Sequence, residues 1–190
     1  VWRAERVLKD LGFRTVRIRV HDPVARVEVP PGDLGALIAP GVREYEVAAD
    51  GEYVCRRAGA SSFAFSCIVG SGERARAVVP TALNKEMKDG ELVMIGIAPR
   101  MNGYAGVVGD TLPVSGTCSK RQKECMNQLR EAFRLTRAML KPGVKGREID
   151  VPARASFTRH DLIRYLVCPF AHTIGLMEAE GPFFGPNSDD

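Results

Sequence analysis

The sequence lacks the features that mark membrane, exported and nucleic-acid-binding proteins. No apolar run approaches the roughly 18 residues that a membrane-spanning helix needs, and the opening residues contain no apolar signal-peptide segment. The net charge is +4, but Lys and Arg are scattered, and no long basic run occurs. We therefore expect neither a membrane nor a nucleic acid as a partner.

Residues that suit metal or redox chemistry are also few. The five cysteines are an odd number at irregular spacing, and no C-x-x-C pair of the kind found in zinc and redox sites occurs. Of the three histidines, His21 and His160 are interpreted as structural residues in turns or on the surface. Reduced thiols predict a cytoplasmic protein.

What is present is the composition of an ordinary globular protein, with 45% hydrophobic and 26% charged residues. A chain of 190 residues can form one sizeable domain with a short appendage. We predict an N-terminal appendage over residues 1–37 and a domain over residues 38–190. Because the chain opens without a methionine and ends in a polar string, we expect the natural protein to be longer.

Hydrophobic periodicity predicts helices and strands along the whole chain. The predicted helices cover residues 2–11, 43–57 and 119–140, and the predicted strands cover residues 13–20, 24–29, 63–69, 92–98 and 104–114. The apolar stripe of the longest helix is expected to contain Met126, Leu129, Phe133, Thr136 and Leu140.

A Pro-Gly-Val turn precedes a predicted helical segment twice, at Pro40 and at Pro142, about a hundred residues apart. This repetition favours two related half-domains. The alternative is that Pro-Gly before a helix is simply common turn chemistry.

Several short motifs follow one another in a recognisable order between residues 40 and 182. They are Pro40-Gly41-Val42-x-Glu44, Ala58 to Phe63, Ser71-Gly72, Lys88 to Val93, Asn102-Gly103-Tyr104, Leu140 to Gly143, and Ala171 to Leu176. In this order the chain resembles the creatinase/aminopeptidase (pita-bread) family, which includes methionine aminopeptidases, proline-specific peptidases and creatinase. The resemblance implies an α+β fold, here an incomplete pita-bread domain of antiparallel strands with flanking helices after a short αββ segment, and hydrolysis of C–N bonds.

The family's metallopeptidases hold two divalent ions with two aspartates, a histidine and two later glutamates. By this resemblance, Gly96 and Val107 occupy the aspartate positions, and the two glutamates would lie beyond Asp190. The catalytic histidine of creatinase would fall at about Val79. We therefore expect no metal and no cofactor in this chain, which would make it either a pseudoenzyme or a metal-independent hydrolase.

His172 matches the family's ligand histidine, and Glu180 matches the glutamate of its His-Glu-x-Pro segment. A histidine near a carboxylate can be tuned for proton transfer, so these two residues are the predicted catalytic pair. The alternative is a buried structural His172 with solvated glutamates. The predicted substrate-binding residues are Tyr104, Glu178 and Phe183.

Two other candidates are weaker. Asp110 lies three residues after Val107, so in a regular strand its side chain points to the opposite face. Cys168 precedes His172 by four residues, a spacing that rarely brings a thiol against an imidazole ring, and no third orienting group is evident.

Three functional hypotheses remain open. The chain could be a creatinase-type hydrolase of a small amide or guanidino compound, or a non-catalytic module that binds a peptide or protein. The third hypothesis is an accessory role in sulfur transfer, because residues 11–19 resemble the tail of PP-loop ATP-dependent sulfur transferases. The expected partners are a small amide, guanidino or peptide ligand and, as an assembly, a homodimer.

Overall fold

The computed structural model describes residues 17–21, 24–28 and 38–188. The predicted helix over residues 2–11 and most of the segment that resembles sulfur transferases lie outside these residues. Strand β1 (Arg17–His21) pairs antiparallel with β2 (Val24–Glu28). This pairing confirms residues 17–20 of the first predicted strand and residues 24–28 of the second, while residues 13–16 lie outside the described residues.

By its internal contacts the chain divides into two units. The N-terminal unit contains residues 1–117 and 176–178, and the C-terminal unit contains residues 118–175 and 179–190. The predicted boundary between residues 37 and 38 stays a prediction.

Helix α1 (Glu44–Arg57) begins just after the Pro40-Gly41 turn of the N-terminal unit, as predicted. Its first turn is acidic and its last turn is basic, an arrangement that complements the helix dipole. The Glu46 carboxylate also accepts a hydrogen bond from the backbone N–H of Arg43 at 2.6 Å. The helix ends before Gly59, whose φ of +105° suits glycine.

Two three-stranded antiparallel sheets complete the described part of this unit. The strands are β3 (Ser62–Phe63), β4 (Ile68–Ser71), β5 (Leu92–Ile97), β6 (Pro99–Met101), β7 (Tyr104–Ala105) and β8 (Val108–Pro113). The strand orders are β3-β6-β7 and β4-β5-β8. Two predicted strands are therefore each interrupted, between β3 and β4 and between β7 and β8. The core contains Ile38, Val47, Cys67, Val69, Met87, Val93 and Val114.

Two helices and a hairpin form the C-terminal unit. Helix α2 (Lys120–Met139) begins at a capping box, in which Ser119 Oγ accepts from the Gln122 N–H at 3.2 Å and Gln122 Oε1 accepts from the Ser119 N–H at 2.8 Å. Helix α3 (Val151–Arg159) packs on α2. Strands β9 (Ala171–Thr173) and β10 (Glu180–Phe184) pair antiparallel with a bulge.

The apolar stripe predicted for α2 is only partly buried. Thr136 is buried, but Leu129, Phe133 and Leu140 are more than half exposed. The core of this unit instead contains Ala132, Ala153 and Phe157, which pack with Leu135, Leu162, Leu166 and Phe170. Small side chains such as Ala132 let two helices pack closely, and Leu129, Phe133 and Leu140 lie outside this cluster.

In the part of the chain that the structure describes, no helix has the length and apolar character needed to cross a bilayer. All five cysteines are free thiols.

Candidate functional site

Gly96 lies in β5, between Ile68 on β4 and Gly109 on β8. A Cβ atom built on Gly96 would lie 3.5 Å from Ile68 Cδ1 and 3.9 Å from Phe65 Cε2. The space that a side chain at this position would enter is therefore bounded by hydrocarbon. Neither of these neighbours offers an oxygen or nitrogen atom to a metal ion.

By the family resemblance, Val107 stands at the second aspartate position and Val79 at about the position of the catalytic histidine of creatinase. Both carry exposed aliphatic side chains. Val107 lies between β7 and β8 and is 42% exposed, and Val79 is 64% exposed. Neither side chain can bind a metal or transfer a proton. Asp110 is exposed on β8, and its Oδ1 accepts a hydrogen bond from the Thr111 N–H at 2.7 Å. It thus has the solvated position that its offset from Val107 predicts.

The buried charge of the N-terminal unit is Glu44, at the start of α1. Its side chain is fully buried, and its carboxylate accepts hydrogen bonds from Ser71 N (2.8 Å), Ser71 Oγ (2.9 Å), Arg74 Nε (3.0 Å) and Leu83 N (3.2 Å). Sequence reasoning identified Glu44 only as part of a motif. These bonds satisfy both oxygens of the carboxylate, so Glu44 is a structural residue rather than a catalytic one.

This network continues through Lys85, whose Nζ donates to Ser71 Oγ at 2.8 Å and to Glu91 Oε2 at 2.7 Å. Burial raises the pKa of Glu91. The hydrogen bonds from Lys85 and from the Lys88 N–H, together with the charges of both lysines, lower it by more, so the pKa of Glu91 lies below its ordinary value. Gly72, next to this carboxylate, has a φ of +58°. A Cβ atom there would lie 2.8 Å from Glu91 Cδ, so the turn requires glycine.

Two predicted substrate-binding residues lie in the N-terminal unit. Tyr104 is 65% exposed on β7. Glu178 is half-buried, and its Oε2 has no hydrogen-bond partner among the described residues. The segment that carries Glu178 is bound to β6, because Arg100 Nε donates to Leu176 O at 3.1 Å.

His172 lies on β9 in the C-terminal unit and is exposed. Its Nδ1 lies 2.9 Å from the carbonyl oxygen of Thr173, which can only accept, so Nδ1 carries a proton in this contact. Its cross-strand partner is Phe183, with ring centroids 5.7 Å apart. The structure therefore brings together one predicted catalytic residue and one predicted substrate-binding residue.

Glu180 stands opposite Thr173 rather than opposite His172. Thr173 Oγ1 donates to the carbonyl oxygens of Glu180 at 2.9 Å and Gly181 at 3.0 Å, which fixes the backbone of the hairpin. The Glu180 carboxylate lies over Gly175, where a Cβ atom would come within 3.1 Å of its Cδ. Glycine at this position leaves room for the carboxylate.

The cysteines differ in how deeply they are buried. Burial raises the pKa of Cys67 to about 12, with a further increase from the charge of Glu52, so this thiol stays protonated at neutral pH. Cys168 is exposed. Within residues 17–21, 24–28 and 38–188, no three His, Cys, Asp or Glu side chains come close enough together to hold a metal ion.

Comparisons with known proteins identify the family. The model of metallopeptidase family M24 matches residues 27–190. An Xaa-Pro dipeptidase of Pyrococcus furiosus is 32% identical over 145 residues, which cover 76% of this chain and 41% of that protein.

Solved structures give the same result for the fold. An Xaa-Pro dipeptidase from Bacillus anthracis matches 84% of this chain and 45% of its own, with a TM-score of 0.78 and 31% identity. An X-Pro aminopeptidase from Thermotoga maritima matches 83% of this chain and 45% of its own, with a TM-score of 0.77 and 28% identity. This chain thus spans less than half the length of these relatives. It has the predicted pita-bread fold and belongs to metallopeptidase family M24.

Proposed function

We propose that this chain recognises Xaa-Pro-type peptides with the fold of family M24 but does not hydrolyse them through a pair of metal ions. The observation that carries the proposal is the environment of Gly96, where Ile68 and Phe65 border the space that a metal-binding carboxylate would need. Divalent ions of the hard type bind carboxylate oxygens and imidazoles, and hydrocarbon offers them nothing. The residues present therefore do not fit the metal pair of the family's peptidases.

Peptide recognition is supported by the names of the relatives and by two exposed aromatic rings. Tyr104 is 65% exposed in one unit, and Phe183 is 49% exposed in the other. Aromatic faces pack well against proline rings, which lose little conformational entropy on binding. In this proposal Tyr104 packs against the proline ring of the peptide, while Glu178 and Phe183 stay predicted substrate-binding residues.

The proposal is tested with the dipeptide Ala-Pro and the purified chain. We expect saturable binding by calorimetry and no release of free proline, with or without Mn²⁺ or Co²⁺. Tyr104→Ala should weaken binding about twofold to tenfold, since an aromatic contact contributes roughly 0.5–1.5 kcal/mol. Tyr165→Ala is the matched control, because Tyr165 is equally exposed at 64% but is not a predicted ligand.

Metal-dependent release of proline would contradict the proposal directly. The proposal would also be contradicted if Ala-Pro did not bind, or if both tyrosine variants lowered the affinity for Ala-Pro equally. The cytoplasmic location and the homodimer stay predictions.

A second candidate function is metal-independent hydrolysis of a C–N bond, and one contact favours it. The carbonyl of Thr173 engages Nδ1 of His172, so Nε2 of the neutral ring is the atom that would accept a proton. In this proposal Glu180, on the paired strand β10, is the second member of the catalytic pair with His172. The sulfur-transfer hypothesis has no comparable support, because its residues lie largely outside the described part of the chain.

This second candidate predicts turnover of creatine or Ala-Pro in the presence of a chelator. His172→Gln should then lower kcat by at least about a hundredfold, as expected for the loss of an acid–base group. His160→Gln is the control, because His160 is an exposed histidine at the end of α3 in the same unit. Absence of turnover in the unmodified chain, or turnover that survives His172→Gln, would exclude the candidate.

A further inference from the structure

A cavity of about 260 Å³ lies wholly within the C-terminal unit, between the loop after α3 and the turn that follows β10. The residues that line it include Arg154, Asn187 and Ser188. The apolar part of the wall includes Leu166, Val167 and Phe183. Sequence reasoning missed this cavity, because its residues come from a helix, a loop and a turn that no motif connects.

Arg154 is held in place from behind by a buried carboxylate. Asp150 is fully buried, and its Oδ2 accepts a hydrogen bond from Arg154 Nε at 2.6 Å. This bond uses one of the five N–H donors of the guanidinium. The Arg154 side chain is 30% exposed, so the rigid fork is buried at one side and accessible at another.

The terminal nitrogens of Arg154 reach the cavity wall. A Cβ atom built on Gly185, which also lines the cavity, would lie 3.7 Å from Arg154 Nη2 and 3.4 Å from Asp150 Oδ2, the oxygen that already accepts from Arg154 Nε. Among the described residues, the Arg154 guanidinium pairs with Asp150 through Nε. The terminal N–H groups are therefore placed to bind an acceptor in the cavity, and a carboxylate matches their planar geometry.

The turn that carries Asn187 and Ser188 closes the polar side of the cavity. Ser188 N donates to Gly185 O at 2.9 Å, which fixes the turn. The opposite wall is apolar, so a ligand gains from a hydrophobic body as well as from a charge. The cavity volume lies below the roughly 300 Å³ at which sites for drug-sized ligands begin, so the ligand must be small.

We propose that this cavity binds a small monocarboxylic acid with an apolar body, with its carboxylate on Arg154 and its body against Leu166, Val167 and Phe183. The site needs no metal and shares only Phe183 with the predicted peptide-binding residues, so it goes beyond the function proposed above. Its preference comes from three features together: a fixed cation, two polar neighbours and an apolar wall. A bare inorganic anion uses only the first two of these.

Benzoate serves as the test ligand. Benzamide serves as the control ligand, because it has nearly the same shape but no charge. We expect benzoate to bind the whole chain at one site by calorimetry, with NMR shifts centred on residues 185–188. Benzamide should bind at least about tenfold more weakly, because a hydrogen bond to a charged group contributes more than one to a neutral group. Chloride and inorganic phosphate should compete poorly with benzoate.

Asn187→Asp tests the electrostatics without disturbing the fold, because Asn187 is exposed and the two side chains have the same shape. It should weaken benzoate binding about threefold to tenfold and leave benzamide unchanged. Asn127→Asp is the matched control, because Asn127 is an exposed asparagine on α2 of the same unit. This control should leave benzoate affinity unchanged.

The anchor itself is tested by a double variant, Asp150→Asn with Arg154→Gln. The pair is replaced by neutral amides because loss of Arg154 alone would leave a buried, unpaired carboxylate. The double variant should lose the preference for benzoate over benzamide. Absence of benzoate binding, equal binding of the two probes, or equal effects of the two asparagine variants would overturn the proposal.

Discussion

The two units use their polar side chains in different ways. In the N-terminal unit, the carboxylate of Glu44 is buried among four hydrogen-bond donors, while glycine and valine occupy the positions at which the family's relatives are expected to act. In the C-terminal unit, His172 is exposed, and the buried Asp150 has one oxygen without a partner among the described residues. Both oxygens of Glu44 are thus satisfied within the fold, whereas one oxygen of the equally buried Asp150 is not.

The largest expected effect is on the buried carboxylate of the N-terminal unit. Glu44→Ala should lower the free energy of unfolding by about 3–5 kcal/mol, because it leaves Arg74 and the Ser71 donors without their acceptor. Chemical denaturation measures this loss. Glu73→Ala is the control, since the Glu73–Arg76 ion pair is highly exposed and should contribute less than about 1 kcal/mol.

The corresponding change in the C-terminal unit sharpens this contrast. Asp150→Ala should lower the free energy of unfolding by about 1–3 kcal/mol, since Asp150 has a single side-chain donor, Arg154, and one unsatisfied oxygen among the described residues. A loss as large as that of Glu44→Ala would show that the two units do not differ in this way.

The next effect concerns the apolar surroundings of Gly96. Gly96→Asp should destabilise the chain by about 2–4 kcal/mol at neutral pH, because the new carboxylate would meet Ile68 and Phe65. Gly96→Ala is the matched control, and we expect a change within about 1 kcal/mol, since its Cβ makes only ordinary van der Waals contacts. Thermal unfolding of the two variants at equal pH measures the difference.

Equal stability of the Asp and Ala variants would mean that the position accepts a carboxylate. The apolar environment of Gly96 would then no longer support the proposed absence of a metal pair.

The smallest effect is the pH dependence of the network around Lys85. The pKa of Glu91 is lower in the folded chain than its ordinary value, so the unfolded chain binds more protons in the acid range. The stabilisation is present above the ordinary pKa of a glutamate and is lost as the pH falls through the lower, folded value. Glu91→Gln should cost up to about 1 kcal/mol at pH 7 and flatten this acid dependence.

Denaturation curves recorded between neutral and acid pH test this prediction. Glu73→Gln serves as the control and should leave the slope unchanged. A Glu91→Gln chain with the same acid slope as the unmodified chain would mean that another carboxylate controls the pH dependence.

The fold was accessible from sequence because it rests on local signals. The predicted helices over residues 43–57 and 119–140 agree with α1 and α2 to within one residue at each end, because turns and caps mark their boundaries. The predicted strand over residues 104–114 is interrupted at residues 106–107, where pairing changes from one sheet to the other. Periodicity alone does not contain that change of partner.

The candidate site was only partly accessible. The match of His172 to a family motif predicted its position, and the pairing of β9 with β10 adds Phe183 beside it. The cavity at Arg154 depends on contacts between distant segments. Which face of α2 is buried depends on its contact with α3 at Ala132 and Ala153. Neither tertiary contact can be derived from composition or spacing.

The central claim, that this chain lacks the family's metal pair, is tested most directly by Mn²⁺ binding. Electron paramagnetic resonance measures the free ion in a titration of the purified chain at neutral pH. The account predicts a free-ion signal that is undiminished at micromolar Mn²⁺, both for the unmodified chain and for His172→Gln. Stoichiometric loss of the signal with the unmodified chain, abolished by His172→Gln, would contradict it.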